Sequence, residues 1–595
     1  MKPILVGLLL AAGFSLPALA AEPDGPDNLI TKTEAVRIGV QGLVSAKPGD
    51  SGVHKVQKDA LLDYYAVPDQ RLLWVDEKGL NERAKIAMAE IAKADDYGLR
   101  ASDYPLPDPA SFDAADPSAR EWLAEAEMKL SYAALDYAKD ARGGRIEPLR
   151  LSKNLDPSLA LPDPAEVLAS IAIRSDAGAY LRSFQPDQPQ FEALRQKLLE
   201  LRGGKTEEVK TDVVIIPDGP VLKFGVEHEQ VALLRKRLNL PAGSNETRFD
   251  EAVLDAVREY QASRGTAADG MVGPGTRRLL NGGQRAAEPV GSETRIRQIL
   301  VNMERWRWLP HDLGAFYATV NIPEFTLRVV DEGEVIHSAR VVVGKPNTQT
   351  PVLSDEMETV VFNPYWNVPN SIKNEEIAPY FGQGGGGFFG GGWDTSVLHR
   401  HGLRIKVGNR VVDPDQIDWS RHDLRSFDLV QPPGPSNVLG KVKFLFPNSH
   451  DVYMHDTTQK HLFNNAVRAE SHGCMRVQNP DQLAEIIMRH ANGWSSAQVQ
   501  SAFFGGDDNQ VPLERKVPVY VTYFTLRVNE DGSLSSFRDL YGHDSRMLSA
   551  LDGKALPSEF FGAGGEVVAE DWRPNNRRRQ RNFSSNDFTR ALFGF

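Results

Sequence analysis

Between Ser51 and Leu201 the apolar residues recur every three or four positions, as in LNERAKIAMAEIAKADDYGL and EWLAEAEMKLSYAALDYAKDA. That spacing lines one face of an α-helix and predicts a helical domain over residues 40–215, whose end, Arg202 to Asp218, reads as a polar linker closing in PDGP. A shorter helical pattern follows: EHEQVALLRKRLNL, a loop, DEAVLDAVREYQASRG, and then DGMVGPGTRRLLN. Asp269-Gly270 and Gly273-Pro274 supply a turn there and Thr276 starts a third helix, so residues 221–283 read as a small three-helix unit. After about Arg295 the period drops to two, in FYATVNIPEFTLRVVDEGEVIHSARVVVG and again in VPVYVTYFTLRVNEDGSLSSF. The turns DEG and NEDG join these runs as hairpins do, which predicts a β-rich domain over 296–540 and a multidomain α+β chain. Within it, the glycine run YFGQGGGGFFGGGWD, Tyr380 to Asp394, lacks the basic and hydroxyl residues of a phosphate-binding loop and reads as a flexible loop.

The first twenty residues, MKPILVGLLLAAGFSLPALA, combine Lys2, an apolar run from Ile4 to Phe14 and small residues at Ala18 and Ala20. Residues 1–20 therefore read as a cleavable secretory signal, too short to span a bilayer comfortably, and no later run is long enough to do so. With 68 basic against 80 acidic side chains, the chain is mildly acidic, which argues against nucleic acid as a partner. The basic NNRRRQRN is a local exception inside a polar segment, residues 565–595, that reads as a disordered tail.

One cysteine occurs in 595 residues, in AESHGCMRVQNP, so no intramolecular disulfide is possible. A lone thiol in an exported chain points to chemistry, with a buried inert cysteine as the alternative. Nineteen residues before Cys474 stands His455, at the end of an apolar strand in VYMHDTTQKHLF, and it is the candidate base. Asp456 follows, and either its backbone carbonyl or its side chain can orient the imidazole. His472-Gly473-Cys474 form a tight turn, after which Asn479-Pro480 cap a helix, DQLAEIIMRHANG. Backbone N–H groups ahead of that helix could stabilise a thiolate and the oxyanion of an acyl-transfer intermediate. Arg476 either holds a substrate carboxylate or makes a structural salt bridge.

These residues carry a resemblance. His455, fifteen residues, then Ser471-His472-Gly473-Cys474-x-Arg476 resembles the L,D-transpeptidase (YkuD-type) signature. VNMERWRW, VVVGKPNTQTPVL and VFNPYWNVPNSI look like the large periplasmic Gram-negative branch of that family. Ala256, Val257, Tyr260, Gln261, Asp269, Gly270, Val272, Gly273, Pro274, Thr276 and Leu279 to Asn281 resemble the peptidoglycan-binding domain type 1 pattern. The resemblance implies a helical scaffold domain, a peptidoglycan-binding module and a catalytic domain in which residues 374–440 form a capping insertion, all in the periplasm. It implies Cys474, His455, His472 and Gly473 as the catalytic set, with Arg476, Tyr453, Ser471 and Asp456 toward substrate. The implied reaction opens the bond between the third residue, diaminopimelate, and the fourth, D-alanine, of a stem tetrapeptide, through a thioester. A 3,3 cross-link results if a neighbouring diaminopimelate amine takes the acyl group, a carboxypeptidase product if water does. Exchange of D-amino acids and attachment of proteins to the wall are further outcomes in the family. No metal or organic cofactor is implied, because thiolate, imidazole and oxyanion donors suffice. The partners implied are peptidoglycan and, as inhibitors, β-lactams of the carbapenem class.

Three other readings compete. A wall cysteine peptidase is disfavoured because its cysteine usually precedes its histidine. A zinc site from His455, His461, His472 and Cys474 lacks a familiar ligand spacing. A non-catalytic wall-binding scaffold leaves the thiol and its histidine without a role.

Overall fold

The computed structural model describes residues 28–48, 52–67, 70–203, 214, 216–238, 240, 245–263, 269–282, 292–381, 394–408, 410–465 and 467–554. The expected signal, the C-terminal tail, most of the linker and most of the glycine run lie outside the described residues. The chain divides into two compact units: residues 1–92, 101–138 and 162–182 make the first, and 93–100, 139–161 and 183–595 the second.

The first unit is helical, with helices Asn28–Ala46, Gly52–Ala66, Glu82–Ile91, the first part of Ala119–Gly143, Pro164–Ile173 and Ala177–Arg182. Their starts follow local chemistry. Asn81 accepts from the N–H of Ala84, and Asp163 accepts from Ala165 and Glu166 ahead of a proline whose missing N–H costs nothing there. A two-strand hairpin, β1 (Val75–Asp76) and β2 (Gly79–Leu80), interrupts the helices. The buried Glu127 carboxylate organises the approach to it. It accepts from the backbone N–H groups of Leu73, Trp74 and Val75 at 2.5, 2.8 and 3.1 Å and from the Tyr65 hydroxyl at 2.7 Å.

The residues expected as one helical domain are thus shared between the two units. Helix Pro189–Arg202 belongs to the second because its apolar stripe, Phe191, Leu194 and Leu198, is buried with Ile299 and Met303 of helix Ser292–Trp306. VNMERWRW closes that second helix with unusual burial of polar groups. Asn302 accepts from the N–H groups of Thr525 and Leu526, and Arg307 donates to the Tyr97 carbonyl at 2.6 Å and to Gln185 at 2.9 Å.

Helices Glu229–Arg237, Glu251–Ser263 and Pro274–Gly282 form the three-helix unit around Val231, Leu234, Phe249, Val253 and Leu280. The third starts at Pro274 rather than Thr276, with proline in the first turn. The hydroxyl of Thr276 instead donates to the Met271 carbonyl at 2.9 Å. Buried Gln261 links the turn: its amide donates to Asp269, Met271 and Thr276 and its oxygen accepts from Gly270. Gly270, at φ +72°, must be glycine because a Cβ there would meet Leu254.

The remaining strands build a closed sheet. β3 (Leu155–Asp156), β4 (Phe316–Asn321), β5 (Thr326–Asp331), β6 (Glu334–Gly344) and β7 (Val352–Phe362) come first. After an insertion follow β12 (Val442–Leu445), β13 (Met454–His455), β14 (Ala469–Ser471), β15 (Met475–Val477) and β16 (Asn509–Thr522). The pairing runs β12-β13-β15-β6-β5-β4-β16-β7, and β7 pairs β12 again, so the path closes on itself. β3, from the helical half of the sequence, pairs β7 in parallel, and β14 pairs β6. Helix Pro480–Asn492 packs Leu483, Ala484, Ile487 and Met488 into the same core. The insertion makes its own sheet, β10-β9-β11-β8, from β8 (Trp366–Asn367), β9 (Arg404–Val407), β10 (Arg410–Val412) and β11 (Asp428–Gln431), over a separate apolar cluster that includes Trp366, Leu398, Ile405, Trp419 and Leu429. A last hairpin pairs β17 (Leu526–Val528) with β18 (Leu534–Ser536), and helix His543–Leu551 follows.

Replacing Glu127 by alanine leaves three buried backbone N–H groups and a phenol without their acceptor. Urea unfolding of Glu127→Ala is expected to show a loss of about 3 kcal/mol or more; a wild-type midpoint would mean that the carboxylate organises nothing.

Candidate active site

The site follows from one parallel pairing. β13 lies against β15 with Met454 opposite Met475 and His455 opposite Arg476, and the N–H of Met475 donating to the Tyr453 carbonyl at 3.0 Å extends the match backwards. Side chains alternate across a strand, so Met454, Met475 and Val477 enter the core while His455 and Arg476 share the other face. Lys443 of β12, opposite His455, joins them there. Cys474, just ahead of β15, touches the core cluster and also lies close to Tyr453 and Arg476. The Tyr453 and His455 rings lie 5.7 Å apart. Tyr453 also packs against the core of the insertion.

Cys474 is half-buried at the edge of this array. Its turn needs glycine at Gly473, where φ is +118°. Ser471 pins the turn from inside: its hydroxyl donates to the Cys474 carbonyl at 2.6 Å and accepts from the Gly473 N–H at 3.2 Å. Lys345 N–H and the Thr348 hydroxyl hold the Ser471 carbonyl at 3.0 and 3.1 Å. The Cys474 N–H has no hydrogen-bond partner among the described residues.

His455 donates from Nδ1 to the carbonyl oxygen of Asp456 at 2.5 Å, which leaves Nε2 as the unprotonated, accepting nitrogen. Of the two orienters the sequence allows, the carbonyl is the one used. The Asp456 carboxylate is engaged elsewhere, by the N–H groups of Lys441 and Thr457 and by Lys460. Burial pushes the His455 imidazole down to about 3, aided by the charges of Arg476, Lys443 and Lys460. Burial also pushes the Cys474 thiol up to about 11, against the opposing pull of the Tyr453 N–H and the Arg476 charge. Burial thus acts on both groups in the same sense, favouring the neutral thiol and the neutral imidazole.

Arg476 is buried, and burial lowers its guanidinium to about 10. It donates to Gln459, and no carboxylate forms an ion pair with it among the described residues.

Two further expectations change. Ser471 and Asp456 do not offer side chains to a substrate, because the hydroxyl and the carboxylate are consumed in the local backbone. Strand β15 lies between Cys474 and helix Pro480–Asn492 in the chain, and the backbone hydrogen-bond donor to the thiol is the Tyr453 N–H. Asn479 adopts a left-handed conformation and makes no side-chain cap, leaving Pro480 alone as the start signal. His472 is half-buried beside the thiol in sequence. The three metal-ligand side chains that gather among the described residues are His399, Asp413 and Asp415 of the insertion, so His455, His461, His472 and Cys474 form no zinc cluster. Lys443 and Gln459 were not legible as site residues. Lys443 had a weak signal, since KVKFLF alternates and its strand is a hairpin-range neighbour of VYMH.

Residues 315–517 match the family model of the L,D-transpeptidase catalytic domain (YkuD), residues 59–198 that of a Scaffold domain, and residues 227–280 that described as "Putative peptidoglycan binding domain". A curated Haemophilus influenzae protein named "Putative L,D-transpeptidase" is 33% identical over 262 residues, 44% of this chain and 50% of that protein. The chain thus spans half the length of this curated relative. Among solved structures, an L,D-transpeptidase from Xylanimonas cellulosilytica aligns at 14% identity and TM-score 0.17 over 51% of this chain and 99% of its own. One from Mycobacterium smegmatis aligns at 12% and 0.16, over 35% and 58%. Scores this low carry no argument about the site.

Because Cys474 is the only cysteine, iodoacetamide labelling read by intact mass reports on it alone. With the thiol near 11, about one molecule in ten thousand is thiolate at pH 7. The alkylation rate should climb about tenfold per pH unit through pH 10; a plateau by pH 8 would reveal a preformed thiolate.

Proposed function

We propose that Cys474 is the nucleophile of an acyl transfer on peptidoglycan stem tetrapeptides, a reading supported by the match of residues 315–517 to the L,D-transpeptidase catalytic domain model and of residues 59–198 and 227–280 to the scaffold and peptidoglycan-binding models. One observation carries the proposal: the only thiol of the chain lies close to Tyr453 and to a buried arginine that forms no ion pair among the described residues, and that arginine is paired across the strands with an oriented imidazole. A buried cation left without an anion is costly, and a substrate carboxylate would remove that cost.

In the proposed sequence the terminal carboxylate of the donor tetrapeptide meets Arg476. This fixes the scissile carbonyl near the thiol and takes away part of the positive field that depresses His455. The thiol gives its proton to Nε2 of His455 as sulfur bonds to the carbonyl carbon. The free Cys474 N–H is available to the developing oxyanion. Collapse breaks the C–N bond. D-alanine leaves with the proton from His455, and a thioester remains. An incoming diaminopimelate side-chain amine then surrenders a proton to His455, attacks the thioester and releases the thiol, forming a 3,3 cross-link. Water in place of the amine gives a tripeptide, a D-amino acid gives exchange, and a protein amine gives attachment to the wall. The binding module would act by raising the local concentration of an insoluble substrate. Export to the periplasm is part of this reading.

Purified tetrapeptide-rich sacculi incubated with the full chain should yield 3,3-linked dimers by muropeptide mass spectrometry, and pentapeptide donors should be ignored. Cys474→Ala should abolish the product, His455→Ala should cut acylation severely, and Arg476→Ala should raise KM for the tetrapeptide at least about tenfold. Release of a fifth residue from pentapeptides, or products from Cys474→Ala, would sink the proposal.

A carbapenem, whose lactam carbonyl is an activated amide, should leave one covalent adduct per chain, on Cys474. An adduct elsewhere at saturating drug would show that another group is the activated one.

A further inference from the structure

A chain of buried hydrogen bonds reaches the nucleophile turn from residues that lie outside the matched catalytic range. The Gly473 carbonyl accepts from the Thr350 hydroxyl at 2.7 Å, and that hydroxyl accepts from the Gly344 N–H at 2.8 Å. The Gly344 carbonyl accepts from the Tyr541 hydroxyl at 2.7 Å, and the Tyr541 oxygen accepts from the Thr350 N–H at 3.2 Å. Tyr541 is held in turn. Its N–H donates to the Tyr523 oxygen at 2.6 Å, and the Tyr523 hydroxyl donates to Asp539 at 2.8 Å. Asp539 accepts from the N–H groups of His543 and Asp544, and Asp544 pairs with Arg305 of helix Ser292–Trp306 at 2.6 Å. Thr350 is 1% exposed, Tyr523 1% and Tyr541 5%. Tyr523, Asp539, Tyr541 and Asp544 all follow residue 517, where the catalytic match ends.

The geometry points to Thr350 and Tyr541 as positioning residues for the reacting turn. A peptide unit is planar, so the carbonyl of Gly473 and the N–H of Cys474 are two ends of one rigid plate. A hydroxyl that fixes the direction of the first fixes that of the second, and the second is the N–H that has no partner among the described residues. Thr350 can serve only if the loop bearing it folds tightly onto Gly344. That residue must be glycine, because a Cβ there would meet the Thr348 carbonyl and the Thr350 nitrogen. Tyr541 clamps both sides of that fold, donating to Gly344 and accepting from Thr350. The segment after residue 517 thereby acts on the orientation of the Cys474 N–H without approaching a substrate. This deepens the reading of Cys474 as an acyl-accepting nucleophile and rests on it.

The test separates two reactions of the same thiol in the full chain. Acetylation by p-nitrophenyl acetate breaks an ester C–O bond, forms a thioester at Cys474, releases p-nitrophenolate and passes through an oxyanion. Alkylation by iodoacetamide displaces iodide at carbon and develops none. Thr350→Val and Tyr541→Phe should each slow acetylation about tenfold, with alkylation at pH 9 within about twofold of wild type. Thr350→Ser, which keeps the hydroxyl, should recover the acetylation rate to within about twofold. Tyr520→Phe removes a phenol that bonds the Leu313 carbonyl, outside the relay, and should change neither reaction. Acetylation at the wild-type rate in folded Thr350→Val and Tyr541→Phe would overturn the assignment, as would a parallel loss of both reactions. Should Thr350→Val fail to fold, Tyr541→Phe, which deletes one oxygen, decides alone. A wild-type chain that takes up acetyl yet leaves tetrapeptides untouched overturns the proposed substrate and leaves the relay standing.

Discussion

The parallel pairing of β13 with β15 is the constraint on which the site depends. Two strands of two and three residues carry it, far too short to persist alone, and the closed sheet around them fixes their register. A shift of one residue would carry Met454 and Met475 out of the core and His455 and Arg476 into it, an exchange of apolar for charged burial that the fold cannot sustain. The reactive face is thus specified by the methionines behind it. Position along the strands decides which groups meet, and burial then sets their protonation.

That burial changes how the thiol is activated. A cysteine beside a histidine suggests a standing thiolate, but desolvation moves both groups toward their neutral forms, and the cations around His455 reinforce this. Under the proposed function, charge separation awaits a substrate that brings its own anion and oxyanion. Arg476, buried and without an ion-pair partner among the described residues, would receive that anion in the proposed sequence.

Much of this was legible in the sequence because it is local or periodic. The helical spacing, the period-two strands and the Asp269-Gly270 turn each report a neighbour-scale preference, and the spacing from His455 to Cys474 survives as a contact because both strands are short. The illegible parts depend on distant partners. Leu155–Asp156 joins the sheet with two residues and no pattern of its own, supplied with a register only by β7. Helix Pro189–Arg202 looks like its helical predecessors, yet its stripe is buried against helix Ser292–Trp306. Ser471 and Asp456 carry the residue types of substrate ligands, but the tight backbone around them satisfies those groups first. Thr350 and Tyr541 are 191 residues apart and share no motif.

The protonated resting state of Cys474 also bears on the lifetime of the chain. Peroxide and disulfides attack thiolates, and a sulfur that is almost wholly protonated at neutral pH enters the path to sulfenic and sulfinic acids slowly. No second cysteine exists to resolve a sulfenic acid as an internal disulfide, so a single oxidation would proceed toward irreversible loss. Desolvation at this face raises the thiol and so disfavours the thiolate form that oxidants attack.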